Sequence, residues 1–177
     1  STYNSIISIL LILWALRLST HIFLFKIIKK KKDRRYTKMI KSSELLSMAK
    51  QFSIQIFFQV IVSLSGFFFT QGNVTVSLSN VQFYLVTTVA TLSIFGESIA
   101  DIQLQNHRKV YTSICTTGLW KYSRHPNYFF DVLFWFAIVF FSFGSHSFYF
   151  SLIGAMFLFI TIFFITGPYT ERCSIEK

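Results

Sequence analysis

The chain has 177 residues, a net charge of +10 and 53% hydrophobic residues, with a mean hydropathy of +0.52. This composition is typical of a membrane protein and excludes an ordinary soluble globular domain. Nearly all of the positive charge lies in loops, which argues against a nucleic-acid-binding protein, because such a protein spreads basic residues along a solvated face. The two cysteines have no CxxC spacing, so the sequence supports neither a disulfide nor a metal site.

Five apolar runs predict an all-α transmembrane bundle that forms a single domain over residues 1–177. The runs are continuous rather than alternating, which favours helices over a β-barrel. The fourth run is short, and flanking aromatic residues extend it. The predicted spans cover about residues 5–25, 52–69, 81–100, 129–143 and 147–166.

The first run is too long for the apolar core of a signal peptide and has no small-residue cleavage site after it, so we interpret it as a true span. It carries Arg17 and His21 one turn apart. A cation at this depth should face the bundle interior. We expect it to form a structural ion pair with an acid such as Glu97 or Asp131, in preference to a ligand role.

The basic residues lie in alternate loops. Segment 26–50 holds ten Lys or Arg and segment 101–128 holds four, whereas 70–80 and 144–146 hold none. With five spans, this distribution predicts an N-terminus outside and basic loops facing the cytoplasm or the mitochondrial matrix. We interpret the run KIIKKKKDRRYTK (26–38) as an orientation signal that also attracts anionic lipid headgroups. A docking surface for a partner or a cofactor phosphate is the alternative.

The stretch ESIADIQLQNHR places Glu97, Asp101 and Arg108 on one helix face, since they are four and then seven residues apart. An acid within a span indicates a functional site by default. The face is therefore predicted to be a functional or partner-binding stripe. Internal pairing of Asp101 with Arg108 is the alternative.

The stretch SRHPNY (123–128) precedes the fourth span. Pro126 suits the first turn of a helix, because its missing N–H would have no partner there. Arg124 and His125 then lie at the helix N-terminus, where free N–H groups and the helix dipole favour an anion. A capped helix with charges reaching to the interface is the structural alternative.

Cofactor chemistry gives a small preference. NADPH carries several negative charges, and a bundle without a GxGxxG motif must meet them with arginines and helix N-termini. S-adenosylmethionine has a carboxylate, an ammonium and a sulfonium, so acids and carbonyls would matter more. Two arginines and a histidine near the fourth span fit NADPH somewhat better.

Five segments together resemble one known family: WALRLSTH, DRRYTK, ESIADIQLQ, GLWKYSRHPNYF and GPYTERCS. In this order and spacing they are similar to the membrane family allied to steroid 5-alpha reductases, over nearly the whole chain. The RHPNY signature is shared more widely, with sterol reductases and isoprenylcysteine carboxyl methyltransferases. The resemblance implies a membrane reductase that binds NADPH from the charged side and reduces a double bond in a lipid-like or isoprenoid substrate.

The resemblance also implies which residues of this chain hold the cofactor, and it leaves the catalytic proton donor unassigned. Two residues match the family's helix-to-loop motif, four match the signature and one matches the acid after the last span. These residues are Asp101, Arg108, Arg124, His125, Asn127, Tyr128 and Glu171.

Two departures from the family pattern keep a second interpretation open. Family members usually have Gly and then Glu after RHPNYF, whereas this chain has Phe130 and Asp131. The ring of Phe130 occupies a position where the backbone could otherwise approach a ligand closely. The side chain of Asp131 is one methylene shorter than that of glutamate. The alternative is a catalytically degenerate accessory subunit of a larger membrane complex, for example in the mitochondrial inner membrane. A bacterial inner membrane, the ER and the mitochondrial inner membrane remain equal alternatives for the location.

Overall fold

A computed structural model describes residues 2–24, 57, 60, 79–111, 113–145 and 147–175. Every element in these segments is helical, with no strand. A short 3₁₀ helix and a π-helical segment lie between the α-helices. In chain order the elements are α1 (Thr2–Ile22), α2 (Asn80–Val110), the 3₁₀ helix (Gly118–Lys121), α3 (Pro126–Phe140), α4 (Ser147–Ile160), the π-helix (Thr161–Thr166) and α5 (Gly167–Ile175).

Three helical stretches are long and apolar enough to cross a membrane, namely Asn4–Ile22, Asn80–Val110 and Phe148–Arg172. Helix α3 is a shorter apolar helix. These helices confirm the all-α class and are consistent with an integral membrane protein. The predicted second span (52–69) and the basic run (26–38) lie outside the described residues, so the count of five spans and the orientation stay predictions.

Helix α2 is longer than the membrane span predicted for it, residues 81–100. It begins at Asn80, where Ser79 and Gln82 form a reciprocal capping box, and it continues past residue 100 to Val110. Residues 101–110 contain neither Gly nor Pro, so nothing stops the helix where its apolar stretch ends. Asp101 therefore lies within a continuous helix.

Helix α3 packs against a stripe of α2 that carries mostly small side chains. Ala90, Ser93, Gly96 and Ala100 are all buried at helical spacing. Small residues let two helix backbones approach closely within a membrane. The aromatic core lies beside this contact. The buried rings of Phe83, Phe134 and Phe141 belong to the same hydrophobic cluster.

The connection from α2 to α3 is held against α2 by two hydrogen bonds. The indole Nε1 of Trp120 donates to the carbonyl of Ala100 at 2.9 Å, and the backbone N–H of Leu119 donates to Oε1 of Gln103 at 2.9 Å. Gly118 has φ 62°, and a Cβ there would lie 2.5 Å from the Gln103 amide. Only glycine suits this turn, which sets where α3 begins.

The last helical stretch also runs past its predicted end at residue 166. Pro168 has no N–H to donate, and the N–H of Gly167 reaches back to the carbonyl of Ile162 in a π-helical turn. The chain therefore stays helical through α5 to Ile175. This continuation places Glu171 beside the N-terminus of α3.

Candidate functional site

An ionic network joins α1 to α2. The Arg17 guanidinium donates from Nη2 to Oε1 of Glu97 at 2.6 Å and from Nη1 to Oδ2 of Asp101 at 3.1 Å. The side chains are 12%, 9% and 12% exposed, respectively. The predicted pairing of the Arg17 cation with Glu97 is confirmed. Since these charged groups are buried within largely apolar surroundings, this bridge favours one register of α1 against α2.

Asp101 has further partners from α1 and α3. Nδ1 of His21 lies 3.3 Å from Oδ2 of Asp101, and Nδ2 of Asn127 donates to Oδ1 at 3.4 Å. Both carboxyl oxygens are therefore engaged within the bundle. The alternative pairing of Asp101 with Arg108 is wrong, because Asp101 pairs with Arg17 and His21, while Arg108 is exposed about two turns further along α2.

Asp131 lies next to this network and binds an indole. Nε1 of Trp14 donates to Oδ1 of Asp131 at 3.3 Å. The indole also stacks on Phe134, with ring centroids 5.7 Å apart, and meets the edge of Trp135 at 5.0 Å. Trp14 thus anchors α1 on α3 through both its ring and its single donor.

The first turn of α3 gathers the signature residues. Pro126 is the first residue of the helix, as predicted. Nη1 of Arg124 lies 3.2 Å from Oε2 of Glu171, and the rings of His125 and Tyr128 stack with centroids 5.0 Å apart. Arg124 is 84% exposed, so its guanidinium stays accessible to solvent and to a ligand.

His125 lies deeper than Arg124. Burial lowers the pKa of its imidazole below the ordinary value, while the neighbouring Glu171 carboxylate opposes that effect and Arg124 adds to it. The neutral ring is therefore favoured in the fold. A neutral imidazole has one donor and one acceptor nitrogen for recognition.

Several polar atoms around this site are buried and have no hydrogen-bond partner in the described segments of the chain. They are Nε of Arg17, Oε2 of Glu97, Nε2 of His125 and Oδ1 of Asn127. Nε2 of His125 is 3.3 Å from Glu171 without the geometry of a hydrogen bond. Buried polar atoms of this kind normally find a partner, so they mark a place for water or a ligand.

Six of the seven residues expected to hold a cofactor make contacts near the first turn of α3, in two groups. Asn127 donates to Asp101 in the first group. In the second, Glu171 contacts Arg124 and His125, and His125 stacks on Tyr128. Arg108 is the exception, since it is exposed and no ion pair of it is found in the described part of the chain.

The larger of two described cavities lies elsewhere. It has a volume of about 630 Å³ and is bounded by α2, the 3₁₀ helix and Phe130. If Asp101, Arg108, Arg124 and His125 hold a cofactor together, they should line a polar cavity, and none of these four lines this one. Its walls are mostly apolar, because it lies on the face of α2 that carries Leu92, Phe95 and Ile99.

Phe130 determines the shape of that cavity. Its ring lies so close to Gly96 that a Cβ there would be 2.5 Å from the ring. The ring thus contacts the α2 backbone at the position where the resemblance expects a glycine. It fills space between α2 and α3 that a smaller residue would leave open.

Sequence reasoning missed Trp14 and assigned no role to Gln103. The signal for Trp14 was present, since an indole one turn before Arg17 on the same helix needs a partner for its N–H. Gln103 had no such signal, because its partner is a backbone N–H in the loop after α2.

Comparison with known families agrees with this architecture. A family model described as protein of unknown function (DUF1295) matches residues 1–177, the whole chain. The chain belongs to this family. DUF1295 is a steroid 5-alpha-reductase-like membrane family, and the match identifies no particular branch of it. No curated protein and no solved structure matches the chain.

The segments by which the chain resembles the steroid 5-alpha-reductase-like family are the ones that meet in the fold. The signature that carried the resemblance is the segment that begins α3, and the acid stripe of α2 faces it. Membership in a family does not fix the activity, which depends on the side chains of the site.

Proposed function

We propose that the protein is a membrane-embedded NADPH-dependent reductase of the steroid 5-alpha-reductase type, acting on a lipid-like or isoprenoid substrate. The observation that carries this proposal is the convergence of six expected cofactor residues around the first turn of α3. They come from α2, α3 and α5, so the fold brings together groups that are far apart in sequence.

The chemistry of these groups fits a dinucleotide. Arg124 has a planar, accessible guanidinium suited to a phosphate, next to the N-terminus of α3. Oδ1 of Asn127 is a buried acceptor that no other described residue contacts by a hydrogen bond, and Asp101 fixes the orientation of that amide by accepting from its Nδ2. These groups would hold an anionic portion and a hydrogen-bond donor of the same ligand.

The chain's residues bind and orient, while the cofactor carries the redox chemistry. NADPH, when bound, supplies a hydride. Glu171 would release Arg124 to a phosphate, since their exposed ion pair contributes little on its own. The stacked pair of His125 and Tyr128 presents a flat wall beside Asn127.

Binding of NADPH to the purified protein tests this proposal. We expect saturable binding, with NADPH preferred over NADH and S-adenosylmethionine. Arg124→Ala should weaken it about 10- to 150-fold, which corresponds to one charged hydrogen bond. Lys109→Ala is the matched control, because Lys109 is an exposed cation whose side chain donates to the neighbouring Asn106 and lies away from Arg124 in sequence. Absence of saturable binding at millimolar NADPH, or equal loss in both variants, would contradict the proposal.

A specific observation favours a second candidate, a catalytically silent accessory subunit of a larger membrane complex. The Phe130 ring fills the space over Gly96, and Asp101 is already in contact with Arg17 and His21. Both features are expected of a scaffold that no longer binds a nucleotide.

Isolation in mild detergent tests the second candidate. A stable complex with other proteins, together with no NADPH binding in the wild type or in Phe130→Gly, would support it. Migration as a free monomer that binds NADPH would contradict it. If Phe130→Gly alone binds NADPH, the ring itself is what closes the site.

A further inference from the structure

Three carboxyl groups meet at the junction of α1, α2 and α3, where the described residues supply fewer cations than acids. Glu97 and Asp101 share Arg17, and Asp101 also contacts His21. Asp131 has only the neutral indole of Trp14 as a hydrogen-bond partner in the described part of the chain. Asp131 repels Glu97, and Asp101 repels both.

Among the described residues, charge balance at this depth requires one more positive charge. Even with His21 protonated, the three carboxylates would face only two cations from these residues. An uncompensated charge in a membrane interior is very costly, and a buried acid avoids this cost by taking up a proton. Since the described residues form no cluster suited to a metal ion, a proton is the cation that fits.

Glu97 gives a second, independent sign of a missing partner. The residue is only 7% exposed. Its Oε1 accepts from Arg17 at 2.6 Å, whereas its Oε2 is buried and has no hydrogen-bond partner among the described residues. An ionised oxygen in that position would carry buried charge without a donor, and a bound proton removes that charge.

We propose that Glu97, Asp101 and Asp131 together bind one exchangeable proton, carried by the carboxyl group of Glu97 or of Asp131. Asp101 is the ionised member, because Arg17, His21 and Asn127 all contact it. Interacting acids of this kind titrate as a unit, so the proton belongs to the pair rather than to one residue.

This proton site has a use under the proposed function, although it does not depend on it. Reduction of a carbon–carbon double bond consumes one proton beside the hydride. The carboxylic acid O–H would give up that proton, leaving a carboxylate that water reloads. Asp101 connects the network to Asn127 and hence to the first turn of α3. Only this use rests on the proposed reductase activity.

A hydrophobic carbodiimide tests the site directly. N,N′-Dicyclohexylcarbodiimide reacts with a protonated carboxyl group: its O–H adds across one C=N bond, and the product rearranges to a stable N-acylurea with no leaving group. We expect the folded wild-type protein in lipid nanodiscs at neutral pH to carry this adduct on Glu97 or Asp131, mapped by mass spectrometry. The yield should fall when the pH is raised.

The digest contains its own control. Glu171 is 35% exposed at its side chain and pairs with Arg124, so it should stay unmodified in the same sample. Absence of an adduct on Glu97 and Asp131 at neutral pH, or an adduct confined to Glu171, overturns the proposal. No NADPH is present in this experiment, so its outcome is separate from that of the reductase.

Infrared spectroscopy provides the second measurement. The wild type should show the carbonyl band of a buried, protonated carboxylic acid, and Asp131→Asn or Glu97→Gln should remove it or shift it. Where a variant does not fold, the wild-type band and the wild-type adduct still decide. A wild-type spectrum without a protonated carboxyl band counts against the proposal.

Discussion

Removal of the Arg17 cation should destabilise the protein far more than removal of an exposed arginine. In Arg17→Met the chain length of the side chain is kept, but Glu97 and Asp101 lose their shared partner. Both carboxyl groups are about nine-tenths buried. Breaking a buried ion pair from one side costs about 3–5 kcal/mol, since it leaves uncompensated charge in a low-dielectric interior.

Unfolding in mixed detergent, followed by tryptophan fluorescence, measures this loss. Trp14 is a suitable reporter because it stacks on Phe134 in the core. Arg124→Ala is the matched control: its pair with Glu171 is 84% exposed at the arginine, so its loss should stay within about 1 kcal/mol. The triple variant Arg17→Met/Glu97→Gln/Asp101→Asn should recover part of the stability.

The refuting result is clear. If Arg17→Met loses no more free energy of unfolding than Arg124→Ala, the network does not hold α1 against α2, and the pairing would have no structural role.

Three further predictions concern packing, backbone and pH. Gly96→Ala should lower the free energy of unfolding by about 1–3 kcal/mol through overpacking, because the new Cβ would lie 2.5 Å from the Phe130 ring. Adding Phe130→Ala to the same chain should restore part of this loss in an unfolding assay. No restoration would show that another contact is responsible. Gly118→Ala should cost roughly 1–2 kcal/mol, since φ is 62° there and the Cβ would meet Gln103; an unchanged melting temperature would contradict this. Burial lowers the pKa of His125 in the folded protein, so the unfolded chain binds more protons as the pH falls. The stability that comes from the neutral, buried imidazole is therefore present above about pH 6.5 and is lost as the pH falls through the pKa of the folded state. His125→Gln should flatten that part of the melting-temperature profile, and a profile identical to that of the wild type would contradict the assignment.

The sequence predicted those features that depend on local pattern or on a single strong physical requirement. Four of the five apolar runs correspond to described helices, and Pro126 begins α3 as expected. The pairing of Arg17 with Glu97 was predictable because a cation within a span must find an acid.

Features that depend on the register between helices were not predictable. The contact of Asp101 with Asn127 follows from how α3 packs on the small residues of α2, which no spacing rule specifies. The same packing places Phe130 over Gly96 and moves the cavity away from the charged residues.

Helix ends were the other weak point. The apolar stretch of α2 ends near residue 100, but helix formation depends on the absence of a breaker, so the helix runs on to Val110. The last span was predicted to end at residue 166, whereas a π-helical turn before Pro168 carries the helix on to Glu171.

The most direct test of the proposed nucleotide site is a density map of the purified protein with saturating NADPH. A dinucleotide at the first turn of α3, with a phosphate on Arg124 and a donor on Oδ1 of Asn127, is the predicted result. Packed side chains in that place, with Arg124 still paired to Glu171 and no density for the cofactor, would contradict it.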